Sequence, residues 1–348
     1  MPLPASDRRP QRFRLPQAGA DRFAIAAMLA WLAWLAVSAV ASWRGLSPLI
    51  PYLTAPLVAG VGVVLGRLAA GRWRRWWIPP LLGVLGLVLL VVPMYANAQA
   101  AVGVQLVALA SLVLLTARPE PLAPDDPALG VPDTFLLAFT AVIVVAGVLL
   151  AARSDAASIL VVPLAVLTTT AIARRSGPPR WVTVSLGVNA LALAFAVVGW
   201  LGTLITWPAW LNRGSSLSSA RHLLWRDALS LWRKNPITGG GPGSFIESSA
   251  IAGSRAGLET VHSSALQVGA ELGIVGLVLF VGLLAAGLAL AARGTRPAAL
   301  IAVAAWSCLG VHSMIDHLYE YPPVTLAAGL VLGWASSTDP GADRPSRA

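Results

Sequence analysis

The sequence has few charged residues. Only 11% of its 348 residues are Asp, Glu, Lys or Arg, against about 25% in an ordinary soluble protein. So few charges cannot cover a water-facing surface, and a soluble globular enzyme is excluded. Lysine is nearly absent: Lys234 is the one lysine among 25 basic residues. Cys308 is the one cysteine, which excludes an internal disulfide and a cysteine-based metal cluster. What the chain has instead is apolar residues. They make up 57%, too many for a disordered chain. The net charge of +10 would point to nucleic acid in a soluble protein. Here the basic residues fall between apolar runs and read as membrane topology, with no nucleic-acid partner expected.

About 20 apolar residues in a helix cross the roughly 30 Å hydrocarbon core. Ten segments qualify as candidates, near 23–42, 50–70, 78–96, 98–117, 133–152, 156–173, 181–206, 268–291, 298–315 and 322–337. None alternates strictly, as membrane β-strands do, and a lone span must satisfy its own backbone, so helices are expected. The fold class is therefore an all-α membrane protein of about ten transmembrane helices. With residues 1–22 in the cytoplasm, 17 of the 25 basic residues fall inside, and six of the other eight lie in one long loop. That bias orients the chain with both termini, 1–22 and 338–348, as cytoplasmic tails. It leaves helices 1–7 in 23–206, a long extracytoplasmic loop at 207–267, and helices 8–10 in 268–337. Trp43, Trp73, Trp76, Trp77, Trp181, Trp207 and Trp334 sit at span ends, where headgroup-level rings are common. The first span is longer than a signal peptide's apolar core and reads as an uncleaved anchor despite Ala39-Val40-Ala41.

The 207–267 loop is where function is expected. Within it, 218–234 is predicted helical. Leu224, Trp225, Ala228, Leu231 and Trp232 fall on one face, and His222, Arg226 and Arg233 on another. Ser218 or Ser219 caps its start, and Asn235-Pro236 ends it. The helix either rests on lipid with its arginines on phosphates or turns them toward a phosphorylated substrate. Next comes Thr238-Gly239-Gly240-Gly241-Pro242-Gly243-Ser244, which lacks the Lys-Ser/Thr of a P-loop. Its backbone N–H groups can approach an anion, or the segment is a flexible turn.

His262 lies at a loop-to-helix junction, and Glu271 stands near the start of an apolar span. An ionisable group there is a functional candidate, the plain alternative being a solvated or arginine-paired residue at the interface. His312 and Asp316 are four apart, so one helical face can hold both. The four histidines give no established zinc spacing, and no metal or other cofactor is expected.

These residues resemble the O-antigen ligase and polymerase family. Arg221-x3-Trp225, the run Pro236-x2-Gly239-x-Gly241-x-Gly243-x-Phe245, and His262-Ser263 with Leu266, Glu271, Leu272, Gly273 and Gly276 look like its signature loop. Ala152-Arg153-Ser154, and His312-Ser313-x2-Asp316 followed by Pro322, resemble its flanking motifs. Ser263 departs from the family pattern, where Asn commonly follows the histidine.

The resemblance implies a metal-independent, inverting glycosyltransferase of the bacterial inner membrane, active on the extracytoplasmic face. It takes a glycan from undecaprenyl pyrophosphate and passes it to a hydroxyl of an envelope glycan or lipid. His262 would engage the acceptor. Arg153 and Arg221, with Arg226, would bind the pyrophosphate. Glu271, His312 and Asp316 would support them. Membrane lipids complete the expected partners. Alternatives are a polysaccharide polymerase, a SEDS-like peptidoglycan polymerase, whose pattern has Asp where Ser264 stands, and a polytopic lipid or glycan transporter. A transporter would place ionisable groups near the bilayer midplane, whereas here they cluster at the outer boundary.

Overall fold

A computed structural model describes residues 19–70, 84, 88, 91, 94–116, 133–209, 211, 218–255 and 257–338. The predicted tails, Trp73, Trp76, Trp77 and most of the predicted 78–96 span lie outside these residues. Of that span, Val84, Val88, Val91 and residues 94–96 are described; the three valines are helical and exposed.

The described residues form helices and connecting turns, with no strand among them. Numbered in chain order, the helices before the long loop are α1 Ala20–Ala41, α2 Ile50–Ala70, α3 Ala96–Thr116, α4 Asp133–Ala151, α5 Asp155–Arg174 and α6 Arg180–Thr203. The long loop carries α7 Ser219–Lys234 and the short α8 Ser244–Ser248. After it come α9 Ser264–Ala291, α10 Arg296–Met314 and α11 Pro322–Ser336.

Among the described residues, α1, α2, α3, α5, α6, α9 and α10 are long and apolar enough to cross a membrane. Thr140–Ala151 of α4 and Pro322–Ser336 are shorter apolar stretches. The protein is thus a multi-pass helical membrane protein. At 15 residues, α11 is roughly 22 Å long, less than the hydrocarbon thickness.

The helices differ in what surrounds them, which sequence hydropathy does not distinguish. Helix α3 is apolar all round and buried on nearly every face, packed among α4, α5, α10 and α11. Gln105 on it donates to the Ala305 carbonyl of α10 at 3.0 Å. By contrast α1, α2, α5 and α6 bury a narrow stripe and expose leucine, valine and isoleucine, as lipid-facing helices do.

Short α11 is held by close backbone contact. Gly62 and Gly66 of α2 face Gly329 and Gly333 of α11, and a Cβ at Gly62 would stand 2.9 Å from the Gly329 Cα. Small residues four apart on both helices permit that approach.

At one end of the bundle Asp21 accepts from Arg67 at 2.6 Å and is ion-paired with Arg293 at 2.6 Å. This ion triad ties α1, α2 and the α9–α10 turn together. The long loop gathers at the opposite end. The tryptophan assignments divide in the same way. Trp43 and Trp181 are exposed at span ends. Trp207 and Trp334 are buried core residues, with Trp207 Nε1 donating to Leu201.

Between α1 and α2 on one side and α9, α10 and α11 on the other lies a mostly apolar cavity of about 1030 Å³. It extends from Asp21 and Arg67 at one end to Tyr52, Ser264 and Tyr319 at the other.

Candidate active site

The 218–234 prediction holds closely. Ser218 Oγ accepts from the Arg221 N–H at 3.4 Å, and Asn235 closes the helix. Its apolar face does not lie on lipid. Leu224, Trp225, Ala228 and Leu231 are buried against the protein, with α9 as the main partner. The expected polar face splits. Arg226 and Arg233 are exposed, but His222 is buried, stacked on Trp207 at 4.9 Å, with Nε2 2.8 Å from the Leu204 carbonyl. His222 is therefore a packing residue.

The glycine-rich segment does approach an anion, but the anion belongs to the protein. Glu271 is 2% exposed. Its carboxylate accepts from Tyr52 Oη at 2.7 Å, Gly243 N at 3.0 Å and Phe245 N at 3.2 Å. The segment is also not a free turn. Gly240 N and Gly241 N donate to the Ala270 and Glu271 carbonyls, and Ile274 N donates back to the Pro236 carbonyl. Those α9 groups are available because α9 breaks at Gly273, where φ is +69° and ψ is −167°. A glycine alone takes that conformation readily. The predicted span from 268 therefore starts earlier, at Ser264, and is interrupted. Glu271 is buried and, among the described residues, has no direct ion pair. It clamps the loop to α1–α2 and α9, with Trp34 Nε1 donating to the Leu272 carbonyl at the break.

The charged centre lies beyond the end of α10. Asp316 is fully buried, in the turn before the 3-10 segment Leu318–Glu320. Helix α10 stops at Met314, so His312 and Asp316 do not share a helical face as expected. The Asp316 carboxylate receives Tyr95 Oη at 2.9 Å, the Asn97 amide, Arg221 Nη2 at 3.4 Å and the His317 N–H at 2.9 Å. The Nδ1 atoms of His262 and His317 stand 3.2 and 2.8 Å from its Oδ1. Burial alone would raise the Asp316 pKa. The neighbouring His262 and His317 rings, with the Arg221 charge, outweigh it and hold the carboxyl well below the usual range. Burial dominates at His317 and lowers its pKa.

His262 reaches this centre through an unusual backbone. Its φ is +51°, a conformation costing a non-glycine residue of order 1–3 kcal/mol. The turn lets Ser263 cap α9 through Leu266 N, while Ser264 N and Oγ both donate to the Asp316 carbonyl at 3.0 Å. The α9 cap and the Asp316 turn are thus built as one unit.

Of the residues expected from sequence, the fold joins Arg221, His262 and Asp316 directly. Arg221 also donates to Ile315 O at 3.0 Å and Tyr95 Oη at 3.1 Å. Arg153 is exposed and donates to Gln99 at 2.5 Å, one turn along α3 from Tyr95 and Asn97, so it stands at the same end of the bundle. Arg226 is exposed, five residues along α7 from Arg221 and so on a different face of that helix. His312 is buried below it, with Nε2 lacking a hydrogen-bond partner among the described residues.

Sequence reasoning missed Tyr95, Asn97, His317, Glu320 and Tyr321. Tyr95 stacks on His317 at 5.3 Å and on Tyr321 at 5.6 Å. Burial, then the Glu271 and Asp316 charges, push Glu320 up to about 8. The dense run of polar and aromatic residues from Asp316 to Tyr321, wedged between apolar spans, was a usable signal. His262, Asp316 and His317 also place one ligand-type atom each within 4.8 Å of one another. The spacing along the chain did not reveal this cluster.

Among the described residues, a long structured loop thus gathers an arginine, a histidine and a carboxylate at one end of a multi-pass helical membrane protein. Residues 138–281 match the family model described as O-antigen ligase, in agreement with the sequence resemblance. The match includes Arg153, Arg221, His262 and Glu271 and ends before Asp316. No curated protein matches the chain.

Proposed function

We propose that the protein is a membrane glycosyltransferase of the O-antigen ligase type. It transfers a glycan from undecaprenyl pyrophosphate to a hydroxyl of an envelope glycan or lipid, with inversion, on the extracytoplasmic face of the inner membrane. The observation that carries this reading is the convergence of Arg221, His262 and Asp316, from three distant segments, on one buried centre beside an apolar cavity.

Breaking the glycosyl–phosphate bond leaves negative charge on the pyrophosphate. Arg153 is exposed at this end, and Arg221 stands at the long edge of hydrogen-bond distance from Asp316. A multiply charged pyrophosphate competes well for such a guanidinium, which grips phosphate oxygens in pairs. Fixed cations here perform the role of a divalent ion, so the reaction is metal-independent. Losing one such preorganised donor typically costs about 10²–10³ in rate.

His262 serves as the base. With Nδ1–H directed at Asp316, its Nε2 carries the lone pair and takes the acceptor's proton once that hydroxyl replaces the Gly257 carbonyl, 3.2 Å away. Asp316 selects that tautomer and stabilises the imidazolium formed. The cavity suits the isoprenoid tail, since its lining is mostly apolar and its upper end adjoins Ser264, Leu318 and Tyr319. A polymerase reading uses the same site, the acceptor then being the growing chain.

The test is purified protein in proteoliposomes with a lipid-linked oligosaccharide donor and an envelope-glycan acceptor. Wild type is expected to release undecaprenyl pyrophosphate and extend the acceptor. Arg221→Ala and His262→Ala are expected to fold but to lose at least about 100-fold in transfer. Unchanged transfer in both, or abolition of transfer by EDTA, overturns the reading.

A further inference from the structure

We propose that His262, Asp316 and His317 form a reversible inhibitory site for a borderline divalent transition metal of the zinc class. The metal holds His262 in the tautomer that cannot act as a base; this inhibitory half rests on the functional reading above.

The outer nitrogens of the two rings carry the first part of the case. His262 Nε2 lies 3.2 Å from the Gly257 carbonyl. A carbonyl only accepts, so in a neutral ring making that bond Nε2 holds the proton and Nδ1 is a bare lone pair. That lone pair stands 3.2 Å from Asp316 Oδ1. His317 Nε2 lies 3.1 Å from Tyr321 Oη. Its Nδ1 is 2.8 Å from the same Oδ1 and yet, in a residue 6% exposed, has no aligned hydrogen bond. Two imidazole nitrogens and a carboxylate oxygen therefore converge in a water-poor space, and a cation between them relieves the repulsion.

The spacing fits a metal. Ligands about 2.0–2.1 Å from a tetrahedral ion stand roughly 3.3 Å apart; the two nitrogen–oxygen pairs are 3.2 and 2.8 Å, and all three ligand atoms lie within 4.8 Å of one another. The surroundings fit as well. Metal-bound imidazoles commonly donate their other N–H to an oxygen, as the Gly257 carbonyl and Tyr321 hydroxyl permit here. Tyr95, Asn97 and Arg221 hold the far carboxylate oxygen, Oδ2. Two imidazoles and one carboxylate favour zinc, cobalt or nickel over magnesium or calcium. The Arg221 cation, 3.4 Å from Oδ2, weakens binding and makes the site reversible rather than structural.

The base-competent and metal-competent forms of His262 are opposite tautomers. The first has its proton on Nδ1 facing Asp316; the second has it on Nε2 facing Gly257. Occupancy by the metal therefore removes the base without moving the ring.

The test adds cobalt chloride to the detergent-solubilised full chain and reads visible absorption. Wild type is expected to give the intense bands of a low-coordinate cobalt centre, displaced by zinc chloride. His317→Gln, checked for folding by its gel-filtration profile, is expected to bind at least about 100-fold more weakly. That exceeds the 10–100-fold effect of losing an outer-shell partner. No absorption at millimolar cobalt, a pale six-coordinate spectrum, or equal binding by His317→Gln overturns the site. Should His317→Gln aggregate, zinc must raise the wild-type melting temperature, and its failure to do so overturns the site in the same way. In the transfer assay, zinc should slow wild type and EDTA restore it; cobalt bound through His317 without inhibition by saturating zinc overturns the inhibitory half. If the protein transfers no glycan but binds cobalt through His317, the functional reading fails and the metal site stands.

Discussion

Glu271→Gln tests whether the glycine-rich loop is organised by an internal anion. The carboxylate holds three donors, Tyr52 Oη and Gly243 N on Oε2 and Phe245 N on Oε1. Glutamine keeps the volume but removes the charge and turns one acceptor into an NH₂ group. Whichever way the amide lies, it faces at least one N–H or O–H donor. A hydrogen bond to a charged group contributes about 1.5–3 kcal/mol, and an orphaned buried donor costs about 1–3 kcal/mol. Local opening of the loop should therefore become easier by about 3 kcal/mol, on the order of 100-fold in its equilibrium constant. The assay is amide hydrogen exchange on detergent-solubilised protein. The Gly243 and Phe245 amides should exchange on the order of 100-fold faster, while the Ser264 and Leu266 amides at the Asp316 turn keep their protection. Unchanged exchange at Gly243 and Phe245 would refute the clamp. Uniform acceleration across α9 would show that Glu271 supports the whole fold rather than the loop.

Arg226→Ala should reduce transfer by less than about tenfold in the proteoliposome assay, because the fold turns this side chain away from the Asp316 centre; a loss of the size of Arg221→Ala would place it in the site. Gly329→Leu should lower the melting temperature sharply, since the added side chain meets the Ala59 carbonyl and Gly62 of α2; a melting curve like wild type would refute the close α2–α11 contact. Glu320 is held near 8 when folded, against 4.5 ordinarily. Its burial therefore favours the neutral form, and stability should fall as pH rises from about 4.5 through 8, then level off. Melting curves from pH 5.5 to 8.5 should show this slope in wild type and a flatter one in Glu320→Gln. Equal slopes would show that Glu320 is solvated in both states.

Much of this was legible in the sequence because the physics is local. A bilayer demands long apolar helices, so the spans α1, α2, α3, α5, α6, α9 and α10 follow from composition and length alone. The start of α7 at Ser219 was legible for a similar reason, since a capping serine satisfies an N–H three residues on. His262 and Asp316 stood out as polar groups at apolar boundaries, and Arg221 through the resemblance of its motif. What each touches was not legible, because the bonds join residues up to 221 positions apart.

Tertiary structure decided the roles. Hydropathy cannot separate a helix facing lipid from one facing protein, as the buried α3 and exposed α5 show. Periodicity grouped His222 with Arg226, but packing buried one on Trp207 and exposed the other. Glycine composition offered an anion site, and the fold filled it with Glu271. Histidine spacing gave no metal motif, yet a helix end and a positive φ brought His262 and His317 to one carboxylate oxygen. The sequence alone determined that the chain enters a membrane, because solvation is summed residue by residue. Only the folded chain determined which charges meet, because that depends on contacts between distant segments.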